Sequence, residues 1–324
     1  MITHSIVIPV FNEEEGLQRL FDRVKNLADS IEKSSDEKCE VILVNDGSKD
    51  RSTEILDQIH TMDSRFKIVH LSRNFGHQIA ITAGTEWAQG QTVTVMDADL
   101  QDPPELIHEF IKKWREGFEV IYAVRKTRVG ETAFKLFTAK LFYRLVRWIT
   151  KMDIPNDAGD FRLMDRKVVN AFLSLPERHR YVRGLISWVG FRQVGVFYDR
   201  DERLTGQTNY TLKKMIKLAF DGIASFSIFP LRLATGVGFF TSAVAFLGVI
   251  YTLFLSATHQ TIQGWTSTIL VVLFIGGVQL LALGVIGEYL GRMFDEVRQR
   301  PLYFVGKAMG FERDERKISP SKVA

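Results

Sequence analysis

The sequence predicts an α/β protein: a mainly parallel β-sheet with helices on both faces, followed by a two-helix hairpin that crosses a membrane. Three observations predict it. Short β-branched runs alternate with helical stretches through the first 125 residues. No Lys, Arg, Asp or Glu occurs from Leu233 to Gly287. Between these regions lie two segments in which aromatic and basic residues recur at helical spacing.

The strand candidates are Ser5–Val10 (SIVIPV), Glu40–Asn45 (EVILVN), Lys67–Leu71 (KIVHL), Thr92–Met96 (TVTVM) and Glu119–Val124 (EVIYAV). Near-continuous apolar runs suit strands covered on both faces. Helical stretches separate them at Glu13–Glu32, Ser52–Met62, Gln78–Gln89 and Pro104–Trp114. Alternation of this kind argues for a doubly covered, mostly parallel sheet, which binds ligands where its strands end. Neither G-x-G-x-x-G nor G-x-x-x-x-G-K-[ST] occurs here, so the two common phosphate fingerprints do not apply.

Thr132–Lys151 sets Lys140, Arg144, Arg147 and Lys151 on one helical face. Phe134, Phe137, Leu141, Leu145 and Trp148 form the adjoining apolar stripe. Such a helix either packs on the sheet or lies flat in a membrane interface, and the hairpin downstream favours the interface. Tyr210–Phe220 (YTLKKMIKLAF) is a second candidate, in a juxtamembrane stretch over residues 211–232.

Leu233–Ser256 and Thr266–Gly287 are mostly apolar. As helices they reach roughly 33–36 Å at ~1.5 Å per residue, enough to cross a hydrocarbon core of about 30 Å. The competing possibility is a helical hairpin buried in a soluble core. Lys213, Lys214, Lys217 and Arg232 precede the hairpin, and Arg292, Arg298 and Arg300 follow it, while the link carries no Lys or Arg. The positive-inside rule therefore expects both flanks, and residues 1–210 with them, on the cytoplasmic side. Residues 288–324 form the expected cytoplasmic tail. Its end (ERDERKISPSKVA) has the composition of a disordered segment.

The 324 residues suffice for one large domain or two small ones. A net charge of +4 gives no strong nucleic-acid signal, so no nucleic-acid partner is expected. Cys39 is the single cysteine, which excludes an intrachain disulfide and reads as a small buried residue at a strand start. Met1–Val10 is too short for a signal peptide.

Three acidic or turn-rich motifs follow strand candidates: PVFNE (Pro9–Glu13), NDGSKD (Asn45–Asp50) and VMDADLQDPPE (Val95–Glu105). In an α/β sheet these ends converge on one crevice. The last is either a carboxylate cluster for a metal ion or an acidic turn leading into a helix. Asp102 precedes Pro103 and Pro104 and reads as a helix cap, with Glu105 suiting the first turn.

PVFNE, NDGSKD, SRNFGHQIA (Ser72–Ala80) and DADLQDPPE, in that order and spacing, resemble glycosyltransferase family 2, over about Ser5 to Tyr210. The resemblance implies a GT-A fold, Rossmann-like. RLTGQTNY (Arg203–Tyr210), SFSIFPLRL and two spans narrow it to the polyprenyl-phosphate glycosyltransferases. That group contains the dolichyl-phosphate mannose synthases and the bactoprenol glucosyltransferases. AGDFRLMDR (Ala158–Arg166) and the two-span tail look closest to the GtrB-type branch.

The resemblance implies an inverting enzyme that moves a hexose, glucose from UDP-glucose by closest likeness, onto polyprenyl (undecaprenyl) phosphate. Pro9, Phe11 and Glu13 would line the nucleotide pocket, with Asp46 accepting a hydrogen bond from the base. Asp97, Asp99 and Gln101 would hold Mg²⁺ or Mn²⁺, with Asp99 the principal carboxylate and Asp97 reaching the ribose or a metal water. Hard oxygen ligands suit either ion. Arg125 would contact the diphosphate and Arg162, Arg200 and Arg203 the acceptor phosphate, where charge-assisted contacts are strongest. Asp157, or else Asp160, would be the base or positioning group. A flippase and a downstream glycosyltransferase are the partners a lipid-linked sugar implies. Paired glycines in the spans permit a homo-oligomer.

Two departures qualify the resemblance. The family often has two acids before Gly-Ser, but Asn45 stands in the first place. The later loop usually reads R-x-x-G-x-S-K-Y, but Thr208 and Asn209 replace Ser and Lys, removing a cation. The rival within the family is a GDP-mannose-dependent mannosyltransferase. A processive polysaccharide synthase would need Q-x-x-R-W, and position 144 is Arg. The non-enzymatic rival is a nucleotide-binding membrane scaffold or flippase subunit.

Overall fold

Strands β1 (Ile2–Val10), β2 (Lys38–Asn45), β3 (Phe66–Leu71) and β4 (Thr92–Val95) lie parallel at the heart of one sheet. The computed structural model describes residues 2–35, 37–125, 158–198, 229–257 and 265–311. They fall in two compact units, Met1–Thr211 with Arg300–Ala324 and Leu212–Gln299.

In the first unit, helices α1 (Leu17–Ser35), α2 (Ser52–Met62), α3 (His77–Trp87) and α4 (Ile107–Arg115) connect the early strands. A 3₁₀ turn, Pro104–Leu106, leads into α4. Beyond β5 (Val120–Arg125) come β6 (Ala158–Asp165), α5 (Arg166–Ser174), α6 (Val182–Trp188) and β7 (Gln193–Tyr198). A last strand, β8 (Val305–Met309), follows the hairpin in sequence. The eight-stranded order is β7-β5-β6-β4-β1-β2-β3-β8.

Five predicted strands and four predicted helices are present, within a few residues of the expected bounds. The sheet is more mixed than expected. β6 runs antiparallel between β4 and β5, and β8 runs antiparallel along β3. The AGDFRLMD stretch carries Asp160 and Arg162 in mid-strand, where an apolar pattern is absent, yet both side chains are buried.

The central strands are buried on both faces, and alternate residues face each layer of helices. Ile6, Ile8, Val41 and Leu43 join Leu17, Leu20, Val24 and Ile31 of α1 in one continuous core. Helix α3 packs on β1 and β2. A Cβ at Gly84 of α3 would sit 2.3 Å from Val7 Cγ1 and 2.8 Å from Val44 Cγ2, so only glycine permits this helix–sheet distance. Cys39 is buried as expected, and burial pushes its thiol up to about 12.

The segment expected as a tail is in part the strand β8. Ser72 N–H donates to Phe304 O at 2.9 Å, Tyr303 Oη donates to Glu86 at 2.8 Å, and Phe311 meets Trp87 edge-on at 4.6 Å. Residues 132–151, 210–220 and the terminal residues 312–324 lie outside the described residues.

In the second unit, α7 (Phe229–Ala257) and α8 (Trp265–Arg298) pack on each other as the predicted hairpin. Both are long and apolar enough to cross a membrane. Phe239 is 78% exposed and Leu281 75% exposed. Side chains such as these suit a membrane-crossing hairpin better than a helix pair buried in a soluble core. Charge returns only at Glu288, and Arg292 pairs with it one turn later at 3.0 Å.

Gly84→Ala will lift α3 from the sheet and cost ~1–3 kcal/mol, as overpacking of a filled interface does. Chemical denaturation of the detergent-solubilised chain checks this, and an unchanged midpoint would contradict the close approach.

Candidate active site

The register of the parallel strands sets three motifs side by side. Val10 pairs with Asn45, and Val7 with Val95. The residues that follow therefore meet at one edge and line a cleft of about 400 Å³. Six residues singled out in the sequence stand in its wall: Pro9, Phe11, Glu13, Asp46, Asp97 and Asp99. Asn74, Gly76 and His77 complete that side of it.

The first two turns are stapled to each other. Asn12 adopts a positive φ of 54°, which Asn tolerates. Its backbone N–H donates to Ser48 Oγ at 3.0 Å, and its Oδ1 accepts from Lys49 N–H at 2.8 Å. Glu13 N–H donates to Ser52 Oγ at 3.0 Å, and Arg51 N–H to Glu14 Oε2 at 3.0 Å. Gly47 has φ 67°, and a Cβ there would lie 2.5 Å from the backbone of Arg73 and Asn74. NDGS is thus a tight turn whose Asp46 stands in the cleft wall.

Asp46 is held from the third turn. Its Oδ1 accepts from Phe75 N–H at 2.7 Å and its Oδ2 from Gly76 N–H at 2.9 Å. Burial raises its pKa more than these two donors lower it. Each oxygen keeps a second lone pair for a ligand.

Among the acids after β4, Asp97 is the least satisfied. Its Oδ1 is sealed from solvent and makes no hydrogen bond, with His77 Nε2 at 3.5 Å. Burial, with the neighbouring charges of Asp160, Asp99 and Asp102, pushes its carboxyl up to about 6 against the pull of His77. Asp99 accepts from the backbone N–H of Gln101 at 3.1 Å. Gln101 is itself buried and stands outside the cleft lining.

The cap expected at Asp102 is not formed: Pro103 is the N-cap and no side chain caps the turn. Asp102 is instead buried, accepting a hydrogen bond from Tyr198 Oη, with Arg125 Nη2 at 4.0 Å. A proline-led turn has few N–H groups to cap, so the acid finds its partners across the sheet. Burial first, then the bond to Asp102, pushes the Tyr198 phenol up to about 12. Glu105 accepts two hydrogen bonds from Arg23, at 2.6 and 3.3 Å. Arg125 donates to Tyr198 Oη at 3.3 Å and is about a third exposed.

Asp160 on β6 was a candidate base, and its surroundings contradict that role. Arg183 donates to its two oxygens at 2.7 and 3.0 Å, and His77 Nε2 donates at 3.2 Å. Burial works to raise its pKa, but Arg183 and His77 outweigh it and hold the carboxyl well below the usual range. A carboxylate this acidic is a poor proton acceptor. Burial likewise opposes charge on His77, but Asp160 and Asp97 outweigh it and the imidazole pKa is raised.

Arg162 was expected to meet an acceptor phosphate. It is 4% exposed, donates to Gly159 O at 2.9 Å, and burial lowers its pKa to about 10. A guanidinium enclosed in this way is not open to a phosphate on a lipid. Asp157, Arg200 and Arg203 lie outside the described residues. Three contributors escaped sequence reasoning. His77 stood inside a quoted motif without a role. Arg183 and Tyr198 lie 23 and 96 residues from their partners Asp160 and Asp102, beyond the reach of any spacing rule.

Residues 5–173 match the glycosyl transferase family 2 domain, and residues 229–293 match the GtrB C-terminal hairpin. An uncharacterized glycosyltransferase of Bacillus subtilis, YkcC, is 54% identical over 96% of this chain and 95% of its own. A second, from Synechocystis, is 49% identical over 95% of this chain and 96% of its own. The SfII prophage-derived bactoprenol glucosyl transferase of Shigella flexneri is 38% identical over 94% of this chain and 97% of its own.

Asp160→Asn will leave the buried Arg162 and the partly exposed Arg183 without their shared anion and destabilise the folded chain by ~1–3 kcal/mol. Thermal unfolding reads this. Normal stability with a selective loss of turnover would restore Asp160 as the base.

Proposed function

Because this chain belongs to glycosyltransferase family 2 and carries the GtrB C-terminal hairpin, we propose that it transfers glucose from UDP-glucose to a polyprenyl phosphate in the membrane. The observation that carries this is the convergence of Phe11, Glu13, Asp46, Asp97 and Asp99 on one cleft at the parallel strand ends. The relative named as a bactoprenol glucosyl transferase, matched along almost its whole length, supports the choice of sugar and lipid.

Phe11, exposed in the cleft wall, stacks on the base, and Asp46 takes the base N–H on a free lone pair. A divalent cation fits the acids after β4. Asp97 Oδ1 is a buried oxygen without a hydrogen bond, and Asp97 and Asp99 supply hard oxygens of the kind Mg²⁺ and Mn²⁺ prefer. Among the described residues no group of three His, Cys, Asp or Glu is arranged to hold a metal ion, so in this reading the donor diphosphate would supply the remaining oxygens. When bound, the ion acts as a Lewis acid that stabilises charge on the departing diphosphate.

An oxygen of the acceptor phosphate forms the new bond to the anomeric carbon from the face opposite the diphosphate. The bond from that carbon to the diphosphate oxygen breaks, its electron pair leaves with UDP, and the configuration inverts. A phosphate monoester has its second pKa near ~6, so the nucleophile is already largely dianionic at neutral pH and needs no strong base. This agrees with the acidity of Asp160, and Asp157 remains the candidate to position the acceptor. The basic flanks of the hairpin support a cytoplasmic catalytic unit under the positive-inside rule.

The full chain in detergent, given UDP-glucose, Mn²⁺ and undecaprenyl phosphate, will form a lipid-linked glucose detectable by mass spectrometry. Product from GDP-mannose instead would reassign the sugar, and no lipid product from any donor would overturn the enzyme itself. Asp99→Ala will lower turnover by roughly 100-fold or more with the fold intact. Asp97→Asn will weaken Mn²⁺ binding read by electron paramagnetic resonance. Unchanged Mn²⁺ binding in both variants would refute the metal assignment.

A further inference from the structure

The structure assigns a positioning role to Lys307, Asp57 and His70: through Asn45 they hold the turn that presents Asp46 to the donor. This rests on the donor cleft proposed above and goes beyond its lining, since Lys307, Asp57 and His70 stand outside it.

The hydrogen bonds run in one direction. Asn45 is buried at the end of β2. Its Oδ1 accepts from Ser48 N–H at 2.9 Å, closing the Asp46–Gly47 corner. A backbone N–H can only donate, so the amide oxygen must face Ser48 and the amide nitrogen must face the other way. That nitrogen donates to Thr53 Oγ1 at 2.9 Å and to His70 Nδ1 at 3.0 Å. His70 Nδ1 is therefore an acceptor, and its ring proton sits on Nε2. Nε2 then donates to Asp57 Oδ1 at 2.9 Å. Asp57 Oδ2 accepts from Lys307 Nζ at 2.6 Å. Burial works to raise the pKa of Asp57, but these two donors outweigh it and hold the acid ionised.

Asn45 in place of the acid that the family often carries now has a physical account. An Asp at this position has no donor for His70 Nδ1 and would force the opposite tautomer or a charged ring. The chain also has an origin that matters. Lys307 lies on β8, the strand that follows the membrane hairpin. His70 on β3 faces β8 in the register, paired with Lys307 itself. The residues after the hairpin thus reach, through four side chains, the turn that reads the donor.

The Lys307–Asp57 pair is half open to solvent, with Lys307 55% exposed, so its loss will barely alter stability. Lys307→Met in the full-length chain will raise the KM for UDP-glucose and the calorimetric Kd for UDP by roughly 3- to 30-fold. Turnover at saturation will stay within about twofold, the split expected when ground-state and transition-state binding fall together. Lys307→Arg will restore donor affinity. Nitrogen-15 spectra of the His70 ring will show the proton on Nε2 in the parent chain. Parent-like UDP affinity in Lys307→Met, or a proton on Nδ1, would overturn the role of the relay while leaving the donor cleft standing. A parent chain that binds no UDP at all would overturn the cleft assignment and the relay's role with it.

Discussion

Everything at the site depends on the parallel register of β1 with β2 and β4. Parallel pairing lines up strand ends on one edge, and here the next residue of each strand continues the ladder. Asp46 N–H donates to Val10 O at 2.9 Å, and Met96 N–H donates to Val7 O at 3.1 Å. These bonds fix where Phe11, Asp46 and Asp97 begin. A slip of one residue would send each side chain to the opposite face of the sheet. The strands are apolar on both faces because helices cover both, and that burial makes the register rigid.

Against this frame, four acids are treated in four ways. Asp46 is satisfied by two backbone N–H groups, Asp160 by an arginine and a histidine, and Asp102 by a tyrosine hydroxyl. Asp97 alone keeps a buried oxygen without a hydrogen bond. Buried polar atoms are nearly always paired, because desolvation without a partner is costly. The divalent cation proposed for Asp97 and Asp99 would give that oxygen a partner. The support around it is dense because a half-satisfied network would not hold it in place.

The hairpin has a surface suited to a different solvent. Its helices turn Phe239, Phe240, Leu280 and Leu281 outward, which water would penalise and a hydrocarbon core would not. The return of the chain as β8 gives the sheet a paired edge at β3 instead of an open one. That same strand carries Lys307, so the pairing of an edge and the contact with Asp57 come from one short segment.

The first strands and helices were legible in the sequence because local pattern alone specifies them: apolar runs for doubly covered strands, helical periodicity between them, and long uncharged segments for the spans. The strand-end motifs were legible because turns advertise themselves through Asp, Asn, Gly and Pro, and an α/β sheet gathers its turns at one edge. The motifs came from that logic, the resemblance to glycosyltransferase family 2 singled out Pro9, Phe11, Glu13, Asp46, Asp97 and Asp99 within them, and these six share the cleft. Only the tertiary structure decided what each acid does. Asp102 looked like a cap from its neighbours, but its partner Tyr198 is 96 residues away. Asp160 looked like a base until Arg183 and His77 were seen beside it. β6 and β8 were invisible because charged or short strands owe their place to the edges they pair with. A carboxylate's identity is written in the sequence, but its pKa and its role are set by the groups that folding brings within hydrogen-bond reach.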